Sequence, residues 1–102
     1  MAISTSRSDE GNSIIIRVSD RFDFSLHQDF RDSYQSEQAP GTSFALDLQD
    51  ADYMDSSALG MILLLKEHAE TLGGNLVIRH PNQTIRKILD IAKFERFITI
   101  EG

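Results

Sequence analysis

The run Ser13-Ile14-Ile15-Ile16-Arg17-Val18 is rich in β-branched residues and is bounded upstream by Gly11-Asn12, a pattern that predicts a strand. A shorter strand near Ile3 is expected to pair with it as a hairpin. After the turn-like Ser19-Asp20, Ser25 is a candidate cap for a helix from Leu26 to Gln35, whose Leu26, Phe30 and Tyr34 recur at i, i+4 spacing. Pro40-Gly41 breaks the chain, and Phe44-Ala45-Leu46-Asp47-Leu48 then reads as a buried central strand. The strongest helical pattern begins at Asp55 or Ser56 and runs to Leu72, where Gly73-Gly74 supplies the left-handed residue that ends many helices. Asn75 to Arg79 is the next expected strand. Pro81-Asn82 starts a third helix carrying Ile85, Ile88, Leu89 and Ala92, and Phe97 to Ile100 forms a last short strand.

Two strands followed by alternating helices and strands define an α/β fold, with a mixed, mainly parallel sheet of four to five strands and about three helices packed on it. A length of 102 residues, 40% of them hydrophobic, is enough for one core, so residues 1–102 are expected to form a single domain.

Charge and composition narrow the function. Ten Lys and Arg against sixteen Asp and Glu give a net charge of −6, which disfavours nucleic acid and anionic membrane and leaves protein partners as the natural class. The absence of Cys removes disulfides, thiolate metal sites and cysteine nucleophiles. The first residues from Met1 show neither the basic start nor the apolar run of a secretory signal, and the longest apolar run, Met61 to Leu65, is too short to cross a bilayer. A cytoplasmic location is the expectation.

Catalytic chemistry finds little support. His27, His68 and His80 have no metal-binding spacing, and Gly73-Gly74 lies at a helix end and not in a phosphate loop. No GxSxG elbow surrounds Ser56, and Asp47, Asp50, Asp52 and Asp55 lack the spacing and glycine of a calcium loop. No enzyme, metal or cofactor is expected.

The informative segment is Asp55-Ser56-Ser57 at the start of the long helix. Asp55 and Ser56 are both fit caps, so capping alone is one reading of them. The other is modification: phosphate on a serine adds about −1.5 to −2 charges, and a helix start offers free N–H groups and a favourable dipole. With Asp52 and Asp55 close in sequence, a phosphate at Ser56 is expected to block a surface and not to refold the chain. At about 100° per residue, Ala58, Met61, Ile62, Leu65, Ala69 and Leu72 share the core face, which Leu59 extends. Leu64 falls on the opposite side with Glu67 and Thr71, where a core helix needs no leucine, and is expected to be exposed.

Met54-Asp55-Ser56-Ser57-Ala58-Leu59-Gly60 after an apolar strand resembles the phosphorylation turn of anti-sigma-factor antagonists of the STAS superfamily. Arg21-Phe22-Asp23, Gly73-Gly74 and Ile88-Leu89-Asp90-Ile91 extend the resemblance over nearly the whole chain. It implies a STAS domain in which Ser56 is phosphorylated by a serine kinase and dephosphorylated by a PP2C-type phosphatase. Asp23 and Asp55 match the family's acidic residues at the turn, and with Ser57, Ala58, Leu59 and Leu64 they form the implied partner surface. The implied partner is an anti-sigma factor, bound by the unphosphorylated form and released by phosphate. In some members it is a flagellar anti-sigma factor or another signalling enzyme. A STAS scaffold or transporter-accessory subunit, with the serine as a mere cap, is the alternative. Asp20, Ala58 and Lys93 stand where many members have Gly.

Overall fold

A computed structural model describes residues 2–8 and 12–102; Met1 and Gly11, the chain start and a strand boundary in the sequence pattern, lie outside the described residues. The elements in order are β1 (Ile3–Arg7), β2 (Ser13–Val18), β3 (Asp20–Phe22), α1 (His27–Gln35), β4 (Ser43–Asp47), β5 (Ala51–Met54), α2 (Ser56–Thr71), β6 (Leu76–Arg79), α3 (Gln83–Ile91) and β7 (Thr99–Glu101). A five-stranded sheet has the order β1-β2-β4-β6-β7. The hairpin β1–β2 is antiparallel and every other pair in the sheet is parallel, the mixed, mainly parallel arrangement that the strand–helix alternation implies.

Side chains alternate across the strands, so Ile14, Ile16 and Val18 of β2, Phe44 and Leu46 of β4 and Leu76 and Ile78 of β6 enter one core. The same core takes Phe30 and Tyr34 from α1, Ala58, Met61, Ile62, Leu65 and Ala69 from α2, and Ile85 and Leu89 from α3. All three helices therefore cover one face of the sheet.

Two short strands were not foreseen. β3 and β5 form a separate parallel pair, with Phe22 opposite Met54 and both buried. One begins in the turn-like Ser19-Asp20 and the other lies in the connection from Leu48 to the long helix, and three- and four-residue strands are too short to show a period. Asp20 does turn the chain, with φ +65°, and Lys93 has φ +57°. Both are thus left-handed positions, where glycine costs nothing and an L side chain is strained. Lys93 lies beyond α3, at the entry to a 3₁₀ turn, and not within the helix.

Smaller corrections follow from hydrogen bonding. A 3₁₀ turn, Phe24–Leu26, precedes α1, and its cap is Asp23 and not Ser25, because the Asp23 carboxylate accepts the Ser25 N–H at 3.0 Å. β7 begins at Thr99, since Phe97 and Ile98 bond back to the Phe94 carbonyl. Of the two glycines after α2, Gly73 is left-handed at φ +83°, whereas Gly74 is needed for space: a Cβ there would strike the Thr42 carbonyl.

Asn82 ties the third helix to the site. Its Oδ1 accepts the Ile85 N–H at 3.0 Å, capping α3, while its Nδ2 donates toward the carbonyls of Leu48, Gln49 and Ala51 at 3.4, 3.0 and 2.6 Å. Those carbonyls belong to the connection that leads into β5. Asn82→Ala removes a cap and takes the side-chain donor from the Gln49 and Ala51 carbonyls, while the Leu48 carbonyl keeps the Ala51 N–H at 3.2 Å, so an expected loss of about 2 kcal/mol should appear as a lower urea midpoint with unchanged m value.

Candidate functional site

β3 and β5 run parallel with Phe22 opposite Met54, so Asp23 and Asp55 leave the two strands at the same end, side by side. Each then caps a helical turn. The Asp55 carboxylate accepts the Ala58 N–H at 3.0 Å from an extended backbone (φ −110°, ψ −176°), the standard geometry of a helix cap. Asp23 accepts both the Ser25 hydroxyl and the Ser25 N–H, and the Arg21 Nε at 3.0 Å. The Ser25 hydroxyl and amide, with the Arg21 guanidinium, hold the Asp23 carboxyl below the usual carboxylate range. Arg21 also sits over the ring of Tyr53, 4.5 Å from its centroid, and so links the two strand ends.

This division of work decides between the two candidate caps of α2. Asp55 is the cap, and Ser56 is the first helical residue, with its side chain exposed. Ser57 follows, half-buried. As the first two residues of the helix, both have N–H groups beyond the reach of any intrahelical carbonyl.

The implied partner surface is only partly at the surface. Asp23, Asp55 and Ser57 are half-buried beside Ser56. Ala58 is fully buried and its N–H is already bonded to Asp55, so its side chain is withdrawn from any partner. Leu59 is partly buried and packs against the core, as its place beside the apolar stripe implies. Leu64 is 58% exposed, as its helical phase requires. It lies seven residues after Ser57 on the same side of α2, about 10 Å along the axis, with the open backbone of Gly60 between them.

Leu64 is one wall of a groove between α1 and α2 that sequence reasoning missed. The groove encloses about 490 Å³; Phe30, Tyr34 and Met61 form its floor, with Phe24, Leu64 and His68 around it. Phe24 is 59% exposed and stacks on His27 with ring centroids 4.3 Å apart. The sequence signal for Phe24 was its position next to Asp23: an apolar residue in the first turn after a cap, followed by a polar Ser. Among the described residues no group of three or more His, Cys, Asp or Glu side chains gathers as a metal site, and no helix is long and apolar enough to cross a membrane.

Residues 5–102 match the STAS domain family model. The chain belongs to the STAS-domain family. It is 41% identical over 100 residues to the STAS-domain containing protein PA14_20770 of Pseudomonas aeruginosa (strain UCBPP-PA14), a match that spans 98% of this chain and 99% of that one. The protein TM1081 of Thermotoga maritima has the same fold, with a TM-score of 0.80 at 17% identity over 98% of this chain and 86% of its own. The anti-sigma factor antagonist SpoIIAA in its unphosphorylated form superposes with a TM-score of 0.72 at 17% identity, covering 99% of this chain and 88% of its own. For SpoIIAA of Bacillus in the phosphorylated form the TM-score is 0.67 at 17% identity, with 99% and 92% covered.

The capping assignment is testable without a partner. Asp55→Ala is expected to cost about 1 kcal/mol, and Ser56→Ala less than about 0.5 kcal/mol, in urea unfolding followed by circular dichroism. Equal losses would make Ser56 a capping residue too.

Proposed function

We propose that this chain is a cytoplasmic anti-sigma-factor antagonist: unphosphorylated, it binds and neutralises an anti-sigma factor, and phosphorylation of Ser56 releases that partner. It is a binding module and not an enzyme. The observation that carries this reading is the exposed Ser56 hydroxyl at a helix start whose capping bond is made by Asp55. A serine there serves no cap, and a kinase reaches it without unfolding the helix. Family membership and the likeness to SpoIIAA support the same role. A serine kinase adds the phosphate and a PP2C-type phosphatase removes it. The partner is an anti-sigma factor, of the flagellar kind or another, or a signalling enzyme that uses the same surface.

Physically, the bound form covers Ser56 and the edge of Ser57, follows the outer side of α2 past Gly60, and places apolar side chains against Leu64 and Phe24 at the groove. Leu64 and Phe24 are large apolar residues left in water, the kind of contact that gains most from burial in a complex. A phosphate at Ser56 would be set beside Asp23 and Asp55 in a chain of net charge −6. Covering it without a cation from the partner costs several kcal/mol of binding, enough to release an interface of ordinary affinity.

Capture with an isolated anti-sigma factor of the same cell tests the switch. Wild type, Ser56→Ala and Ser57→Ala are expected to bind it alike, while Ser56→Asp binds at least tenfold more weakly. Leu64→Lys should also weaken binding, with a melting temperature within about 2 °C of wild type, as for a surface residue. Equal binding by all five proteins would leave the scaffold reading in place of the switch.

A further inference from the structure

The helices cover one face of the five-stranded sheet, and the other face carries a pattern that the switch does not use. In register across the strands, Ser4 of β1, Arg17 of β2, Asp47 of β4, Arg79 of β6 and Glu101 of β7 form one row. Its last four members alternate in charge: plus, minus, plus, minus. The parallel row beside it is Ser6, Ile15, Ala45, Val77 and Thr99, small and apolar at its centre. None of Ile15, Ala45 and Val77 belongs to the core under the helices. Within the row Arg17 Nε lies 3.8 Å from Asp47 and Arg79 Nε lies 3.5 Å from Glu101; Arg17 also donates to the Ser6 hydroxyl at 3.2 Å and Asp47 Oδ1 accepts the Gln49 N–H at 3.0 Å, which still leaves guanidinium N–H groups and the Glu101 carboxylate for other partners.

We propose that this face joins two copies of the chain in a two-fold symmetric, face-to-face dimer, with the axis along the strands between β4 and β6. The charge order selects that occupant and that axis. A two-fold along the strands exchanges β2 with β7 and β4 with β6. Arg17 then meets Glu101 of the second copy, and Asp47 meets Arg79 of the second copy. All four contacts are between opposite charges. A two-fold running across the strands would set each charge on its own kind. The same operation lays Ile15 against Thr99, and the methyl of Ala45 against the larger Val77, so that small side chains face larger ones. It also keeps the strand directions of the two sheets aligned, the common packing of sheet on sheet at about 10 Å.

The face is small. The axis pairs four of the five strands, and these, about 4.8 Å apart and some four or five residues long, present roughly 250–300 Å² per copy, against about 800 Å² per partner in a standard stable interface. The dimer is therefore expected to be weak and to form only at high protein concentration. It leaves α1, α2 and Ser56 on the outside of both copies, so a dimer would carry two switch surfaces. The proposal does not depend on the function of Ser56.

Sedimentation equilibrium of the unmodified chain from about 10 μM to 1 mM, with amide NMR spectra over the same dilution series, provides the test. The dimer is expected to grow with concentration, to weaken at least threefold in 1 M NaCl, and to shift the amides of Ile15, Ala45 and Val77 but not those of Ser56 or Leu64. Arg17→Glu with Arg79→Glu, which makes the row wholly acidic, should weaken association at least tenfold. The fourfold reversal R17E/D47R/R79E/E101R restores alternation and should dimerise again, without mixing with wild type. A chain monomeric at 1 mM, or a dimer whose dilution shifts fall on α1 and α2, would overturn the proposal. Should a charge variant fail to fold, the wild-type dilution series alone decides between dimer and monomer.

Discussion

The Asp55 carboxylate holds the Ala58 N–H at 3.0 Å, and that bond sets the roles of its neighbours. It ends β5 and starts α2 at one residue, which turns Ala58 into the core and Ser56 out to solvent. The bond is itself placed from further away. Met54 is anchored opposite Phe22 in the β3–β5 pair, and the connection into β5 is held by three carbonyls that point to Asn82. A side chain at the start of α3 thus fixes the height at which α2 begins.

Much of this was legible in the sequence, and the limits have physical causes. The β-branched run of β2, the apolar stripe of α2 and the glycine after it are long or chemically distinctive, and they form where their patterns put them. Leu64 followed from helical phase alone. β3 and β5 did not, because each is stabilised by pairing with a segment some thirty residues away and is too short to announce itself by alternation. The cap of the turn before α1 was misplaced for a related reason: Asp23 and Ser25 are both good caps, and only the chain direction set by β3 selects Asp23. The groove between α1 and α2 was invisible because it is made by two helices separated by two strands, and no local pattern records their spacing.

The three positions at which the family resemblance implies glycine separate into two kinds. Asp20 and Lys93 adopt left-handed backbone, so glycine there answers a conformational need that this chain meets with strained L residues. Ala58 is in ordinary helix with its methyl in the core, so the difference from glycine adds packing and leaves the exposed surface unchanged.

The proposed switch is electrostatic and local. A phosphate on Ser56 gains from the helix start and loses to the Asp23 and Asp55 carboxylates, while the fold beneath is held by contacts that the phosphate does not touch. The most direct measurement is a comparison of amide NMR spectra of the unmodified chain and the chain phosphorylated at Ser56. Shift changes confined to residues 23–26, 53–60 and the nearby wall of the groove are the predicted result. Changes that spread through β2, β4 and β6 would contradict it and make the phosphate a remodeller of the fold.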